Sequence, residues 1–80
     1  GRLARRAASL LEDAPQAAEG MDAVARRLGV TDRHLRRVFG AEFGVSPVAF
    51  AQTQRLLLAK RLLTDTAMPV TDVALASGFG

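Results

Sequence analysis

The chain has 80 residues, which is enough for one small domain with a modest hydrophobic core. It is 49% hydrophobic and 24% charged, as is ordinary for a folded domain, and its net charge of +3 does not by itself indicate nucleic-acid binding. The absence of cysteine excludes disulfides, thiolate metal sites and a thiol nucleophile.

Apolar residues at helical spacing predict the first two helices. In the segment RLARRAASLLED they recur every three or four residues, which predicts a helix over residues 2–13. The segment APQAAEG holds Pro15 and Gly20 among small residues and is typical of a loop. The segment MDAVARRL predicts a second helix over residues 21–28 with its apolar residues facing inward, and GVT ends that helix.

Capping residues mark the helices that follow. Thr31 is a suitable N-cap for a third helix, which is expected to end near Gly44, a natural C′ residue. Ser46 and Pro47 suit the N-cap and first position of a fourth helix of about eighteen residues. A short fifth helix is predicted over residues 70–77, after a Met-Pro step. Five helices without a strand pattern predict an all-α fold.

Two segments, 21–30 and 70–79, align without a gap. The first holds Ala25 followed four residues later by Gly29, and the second repeats this Ala-Gly spacing. In a helix-turn-helix, such an Ala lets two helices cross closely, and the Gly supplies the positive φ of the turn. Chance similarity between two short amphipathic helices is the alternative. A cap and a second helix follow the first segment where the motif requires them, so we predict a helix-turn-helix there.

The third helix has two opposite faces, at about 100° per residue. Its apolar stripe consists of Leu35, Val38 and Phe39. Its basic face consists of Arg33, Arg36 and Arg37, with Gly40. Arg can donate two hydrogen bonds to guanine or contact phosphate, so this face fits a major groove; a solvated basic face is the alternative. His34, between the faces, suits packing or a phosphate contact, and Asp32 suits the helix dipole or a cytosine amine.

Three further arginines have different expected roles. Arg26 and Arg27 end the second helix, where a helix that crosses the DNA backbone could use one of them on phosphate. Arg55 falls on the apolar stripe of the fourth helix, and an unpaired charge there is costly. We therefore expect an internal ion pair between Arg55 and Asp72 or Asp22, with a DNA contact as the alternative. The apolar stripe itself consists of Val48, Ala51, Leu58, Ala59 and Leu62.

The segments VARRLGVTDRHLRRVFGAEFGVSP, RLLLAKRLL and PVTDVALASGF resemble the DNA-binding domain of the AraC/XylS class of transcription factors. The stretch LLLAKRLLTDTAMPVTDVALASGF is most similar to Ada-type adaptive-response regulators fused to an AlkA-type 3-methyladenine glycosylase. The resemblance implies two helix-turn-helix units joined by a long helix. It divides the chain into a first unit (1–45), a linker helix (46–66) and the start of a second unit (67–80), with the second recognition helix expected beyond Gly80.

The predicted function is sequence-specific binding of double-stranded DNA by a transcription regulator, an activator of alkylation-repair genes, with residues 32–43 in the major groove. The DNA-binding residues are predicted to be Thr31, Arg33, His34, Arg36, Arg37, Arg26 and Arg27. A helical protein-interaction module, which could contact RNA polymerase, and a non-catalytic DNA anchor of a glycosylase fusion are the alternatives.

No catalytic set, cofactor motif, metal cluster or small-molecule site is recognised in the sequence, so we expect no enzyme activity from this chain. No apolar run exceeds four residues and no signal peptide opens the chain, so we expect a cytoplasmic protein without a membrane partner.

Overall fold

A computed structural model describes residues 1–14 and 20–78, which form five helices. The helices are α1 (Arg2–Asp13), α2 (Met21–Arg27), α3 (Asp32–Phe43), α4 (Pro47–Asp65) and α5 (Val70–Ala76). The all-α prediction is confirmed, and the helix ends differ from those expected by one residue at α2 and α5. The predicted loop lies largely outside the described residues, as does the last aligned residue of the second segment, Phe79.

Local capping explains where α3 and α4 begin and end. The hydroxyl of Thr31 accepts a hydrogen bond from the His34 amide at 3.1 Å, and that of Ser46 accepts one from the Ala49 amide at 3.0 Å. Each such cap stabilises its helix by about 0.5–2 kcal/mol. Gly44 follows α3 with a left-handed φ of 75°, a conformation that favours glycine and stops the helix.

The core lies where α1 packs against α3 and α4. The buried residues of α1 are Ala4, Ala7, Ala8 and Leu11. Three of these four are alanines, whose small side chains let the facing helices approach closely. Leu35 and Phe39 enter this core from α3 and are fully buried. The ring of Phe39 lies 4.7 Å from that of Phe43 and 5.4 Å from that of Phe50, so aromatic contacts tie α3 to the start of α4.

The predicted apolar stripe of α4 is wrong at its first residue. The buried row of α4 is Pro47, Ala51 and Arg55, one residue in every four. Val48 lies beside this row and is 41% exposed. The stripe of α3 holds at Leu35 and Phe39, whereas Val38 at its edge is only partly buried and packs against the core.

The helices α4 and α5 pack against each other and bury fewer side chains than the first three helices. Val73 is the buried apolar residue of α5, and Ser77 lies buried just after the helix. Over the described ranges, no helix combines the length and the apolar character that crossing a membrane requires.

Candidate nucleic-acid interface

The turn between α2 and α3 has the geometry of a helix-turn-helix. Gly29 has a φ of 78°, which L side chains rarely adopt. The amide of Val30 donates to the carbonyl of Ala25 at 3.0 Å, which closes the turn back onto α2. Ala25 is 1% exposed, as expected for the small residue at a close helix crossing. The helix-turn-helix predicted at the first segment is therefore confirmed.

The second segment repeats this turn conformation. Gly78 has a φ of 87°, close to that of Gly29, and the amide of Gly78 donates to the carbonyl of Leu75. The buried Ser77 hydroxyl donates to the carbonyl of Val73 at 2.6 Å, which holds the end of α5. The two aligned segments thus end in turns of the same kind.

One open concave surface of about 720 Å³ lies at the start of α3. Its lining residues are Thr31, Asp32, Arg33, His34, Arg36 and Arg37, and we call it the α3 basic surface. The three arginines are exposed, while Leu35 and Phe39 hold the opposite face of the helix in the core. The structure therefore brings together five of the seven predicted DNA-binding residues, together with Asp32.

Arg36 is held by a carboxylate within its own helix. Its Nη2 lies 2.9 Å from Oδ2 of Asp32, and its Nε donates to Oδ1 of Asp32 at 3.2 Å. The Asp32 side chain is 25% exposed and that of Arg36 is 61% exposed. The sequence reading placed Asp32 at the helix dipole or on a cytosine, and it missed this pair. The spacing of four residues between an acid and a following Arg was the available signal.

The other two arginines of the surface differ from Arg36. Nη2 of Arg37 lies 3.1 Å from Nδ1 of His34. Because a guanidinium only donates, Nδ1 accepts this hydrogen bond and the imidazole proton lies on Nε2 when the two are paired. Arg33 makes no hydrogen bond or ion pair with any residue in the described ranges. Of the three arginines of this face, Arg36 is paired with a carboxylate and Arg37 with an imidazole, whereas Arg33 has no partner among the described residues.

Arg26 and Arg27 lie outside the α3 basic surface. Both are exposed in the last turn of α2, as predicted. Arg27 lines a separate groove of about 300 Å³ with Arg6, Ser9, Leu10 and Leu28. Neither arginine lines the α3 basic surface. Their contact with phosphate stays a prediction.

Arg55 is buried in the middle of α4, with 6% of its surface exposed. Asp72 is exposed in the first turn of α5, the helix that packs on α4, and Asp22 is exposed in the first turn of α2. The burial of Arg55 agrees with its predicted place on the inner stripe. Its pairing with Asp72 or Asp22 stays a prediction.

Charge at the far end of α3 is of opposite sign. Nε of Arg5, in α1, lies 4.0 Å from Oε1 of Glu42. The acidic end of α3 is thus engaged by α1, while its basic half faces outward.

A family model described as a helix-turn-helix domain matches residues 24–80, and the chain belongs to this family, in its AraC type. Residues 24–80 include α3 and the second turn, the parts of the chain that carry the geometry described above. The family supports the prediction of DNA binding in transcription regulation, which is confirmed.

The chain is similar to several curated regulators over part of their length. It is 39% identical over 74 residues to the probable bifunctional transcriptional activator/DNA repair enzyme AlkA of Mycobacterium tuberculosis, covering 92% of this chain and 15% of that protein. It is 35% identical over 54 residues to the HTH-type transcriptional regulator ExsA of Pseudomonas aeruginosa, covering 68% of this chain and 19% of ExsA.

The virulence regulon transcriptional activator VirF of Yersinia enterocolitica is 34% identical over 55 residues, covering 69% of this chain and 20% of VirF. The chain therefore spans no more than a fifth of the length of these relatives. No solved structure matches the chain at a significant level.

Proposed function

We propose that this chain is the sequence-reading DNA-binding part of a transcription activator that controls alkylation-repair genes. The observation that carries the proposal is the α3 basic surface, which presents three exposed arginines on the helix that follows a helix-turn-helix turn. In this motif the second helix enters the major groove with its N-terminal residues on base edges. Both the position of the arginines in α3 and their exposure suit that placement.

The residues of the interface have distinct proposed roles. Arg33, Arg36 and Arg37 contact bases or the adjacent phosphates from within the groove, because an Arg fork matches guanine O6 and N7. Thr31 and His34 lie beside them at the start of α3. Their proposed contacts are with the sugar-phosphate backbone of the DNA. Arg26 and Arg27, in the last turn of α2, contact phosphate where that helix crosses the strand.

The link to alkylation repair rests on similarity. The relative from Mycobacterium tuberculosis is named as both a transcriptional activator and a DNA repair enzyme. Since this chain covers 15% of that protein, we assign the reading of DNA to the chain and leave repair chemistry to other parts of such a protein. The chain itself is proposed to be non-catalytic and to act in the cytoplasm, where bacterial DNA lies.

A salt titration of duplex binding tests the DNA-reading function. With roughly three to five phosphate contacts, the plot of log affinity against log salt should have a slope of about −3 to −4.5. Selection from a random pool of duplexes gives the preferred site. A flat salt dependence, or a pool that shows no enrichment, would contradict the proposal.

A protein-interaction module remains the second candidate, and exposed leucines on α4 favour it. Leu56 is 62% exposed, and Leu57 and Leu63 are each 51% exposed. Such residues could dock a subunit of RNA polymerase. If this were the main function, replacing Leu56 and Leu63 by Gln would abolish activation, while alanine at Arg36 would leave it unchanged.

A further inference from the structure

The pair between Asp32 and Arg36 occupies one particular edge of the guanidinium. Nε and Nη2 both face the two oxygens of the Asp32 carboxylate, at 3.2 and 2.9 Å. A guanidinium has five N–H donors, so three remain: both on Nη1 and one on Nη2. These include one donor on each terminal nitrogen, and the planar guanidinium holds the two parallel along the Nη1–Nη2 edge.

We infer that Asp32 is a specificity-determining positioning residue, which holds Arg36 so that its Nη1–Nη2 edge meets O6 and N7 of a guanine. The inference rests on the proposed function, since it requires α3 to lie in the major groove. Two parallel donors match the two acceptors on the guanine edge, and the carboxylate occupies the donors that would otherwise find a phosphate. Asp32 acts through Arg36 and need not touch the base.

Asp32 suits the helix dipole in the first turn of α3, but its pair with Arg36 adds little further stability. Arg36 is 61% exposed, and an exposed pair four residues apart on a helix contributes little to folding. Thr31, rather than Asp32, caps α3 through its side chain. A carboxylate in the middle of a basic surface also repels DNA phosphates, so Asp32 lowers general affinity for DNA. A residue that lowers affinity yet orients an arginine favours discrimination over strength of binding.

The other two arginines of the α3 basic surface are held less firmly than Arg36. Arg33 has no partner among the described residues, so nothing holds its fork in one orientation before DNA binds. Arg37 pairs with the ring of His34 through one contact at 3.1 Å. Arg36 alone of the three is held at two of its nitrogens by a charged partner. It is therefore the arginine best ordered before DNA binds for reading one base.

The test compares Asp32→Ala with Glu42→Ala in the whole 80-residue chain. Both changes remove one carboxylate from α3, and the two side chains have similar exposures of 25% and 29%, but Glu42 lies far from Arg36 along the helix. The probe is the duplex selected by the wild-type chain from a random pool, together with duplexes that carry each single base-pair change. Asp32→Asn keeps the size of the side chain while removing its charge, and thermal melting confirms that every variant folds.

We expect Asp32→Ala to reduce discrimination about 3- to 10-fold at one guanine, the position at which Arg36→Ala also loses it. The freed Arg36 should then contact phosphate, so the salt slope becomes steeper by about 0.9 and unrelated duplexes bind more tightly. In the Arg36→Ala background, Asp32→Ala should reduce discrimination no further. Glu42→Ala should leave base preference unchanged, and Asp32→Asn should behave as Asp32→Ala does.

Three outcomes would overturn the inference while the wild-type chain still reads DNA. In the first, Asp32→Ala weakens discrimination equally at every base pair. In the second, Asp32→Ala reduces discrimination as much in the Arg36→Ala background as in the wild-type chain. In the third, Asp32→Ala changes base preference no more than Glu42→Ala does. If the wild-type chain selects no duplex at all, the proposed function fails first, and the role of Asp32 fails with it.

Discussion

The two aligned segments of this chain end in turns of the same conformation, but they differ in how their side chains are packed. Gly29 and Gly78 have φ values of 78° and 87°, so the same Ala-Gly spacing produces the same backbone conformation twice. In the first segment Met21, Val24 and Ala25 are all buried. In the second, Val73 is buried, whereas Val70, the counterpart of Met21, is 73% exposed and Ala74, the counterpart of Ala25, is only partly buried. A short stretch of sequence therefore determines a turn, while burial depends on the helices packed around it.

This difference divides the molecule into a well-packed part and a loosely packed part. The helices α1 to α3, with Ala51 of α4, surround a core in which Leu11, Leu35 and Phe39 have no exposed surface. The outer face of α4, together with Val70 and Leu75 of α5, exposes large apolar side chains to solvent. The α3 basic surface belongs to the well-packed part, as suits a site that must hold side chains in fixed positions.

The largest expected effect is on the stability of the well-packed part. Phe39→Ala removes a fully buried ring that contacts Phe43 and Phe50, and it should lower the free energy of unfolding by about 3–5 kcal/mol. Leu75→Ala should change it by less than about 0.5 kcal/mol, because Leu75 is 68% exposed. Urea denaturation of both variants measures the difference. Equal losses would show that α5 contributes as much packing as α3.

The second comparison concerns DNA binding, which should depend on the arginines of α3 and not on the exposed surface of α4. Arg36→Ala should lower discrimination between duplexes by about 1–3 kcal/mol if the residue makes a bidentate base contact. Arg61→Ala removes an equal charge from the exposed surface of α4 and should leave discrimination unchanged. Competition binding with selected and scrambled duplexes, at one salt concentration, measures both. If both variants weaken every duplex alike, α3 grips the backbone without reading bases.

Removing the predicted partner of Arg55, Asp72 on α5, should lower stability by less than Phe39→Ala does. Losing one partner of a buried pair costs about 3–5 kcal/mol, and the exposure of Asp72 reduces the expected loss for Asp72→Asn to about 1–2 kcal/mol. Asp22→Asn should have no such effect if Asp72 is the partner of Arg55. Thermal melting of the two variants decides between the two acids. A loss with Asp22→Asn alone would place the partner of Arg55 on α2.

The helices and their caps could be predicted from the sequence because their causes are local. Thr31, Ser46 and Gly44 act within four residues of their own positions, and each has the predicted capping role. The exposed arginines of α3 followed from helical spacing in the same way. The pair between Asp32 and Arg36 could also have been predicted from its spacing of four residues. Asp32 at a helix start had a competing explanation, however, as a favourable charge at the helix dipole.

Other features required the packing of helices that are distant in sequence. Val48 fits an apolar stripe by spacing, yet Pro47 takes the buried position at the start of α4. The groove that joins Arg27 to Arg6 depends on how α1 lies against α2. Neither arrangement has a signal in a single segment, because both depend on how separate helices come together.

An effect of similar size tests the shared turn itself. Gly29→Ala forces a residue with a Cβ into a φ of 78° and should lower the free energy of unfolding by about 1–2 kcal/mol. A Cβ at Gly29 would meet no atom within 4 Å, so this cost reports backbone strain rather than a clash. Gly40→Ala is the matched control, because Gly40 lies inside α3 with equal space around it and should gain up to about 1 kcal/mol from helix propensity. Gly78→Ala imposes nearly the same strain at a φ of 87°, but in the loosely packed part. If α5 opens separately from the core, Gly78→Ala should lower hydrogen-exchange protection in α5 and leave global unfolding almost unchanged. If instead Gly78→Ala lowers global stability as much as Gly29→Ala does, the two turns belong to one cooperative unit, and the division into two parts is wrong.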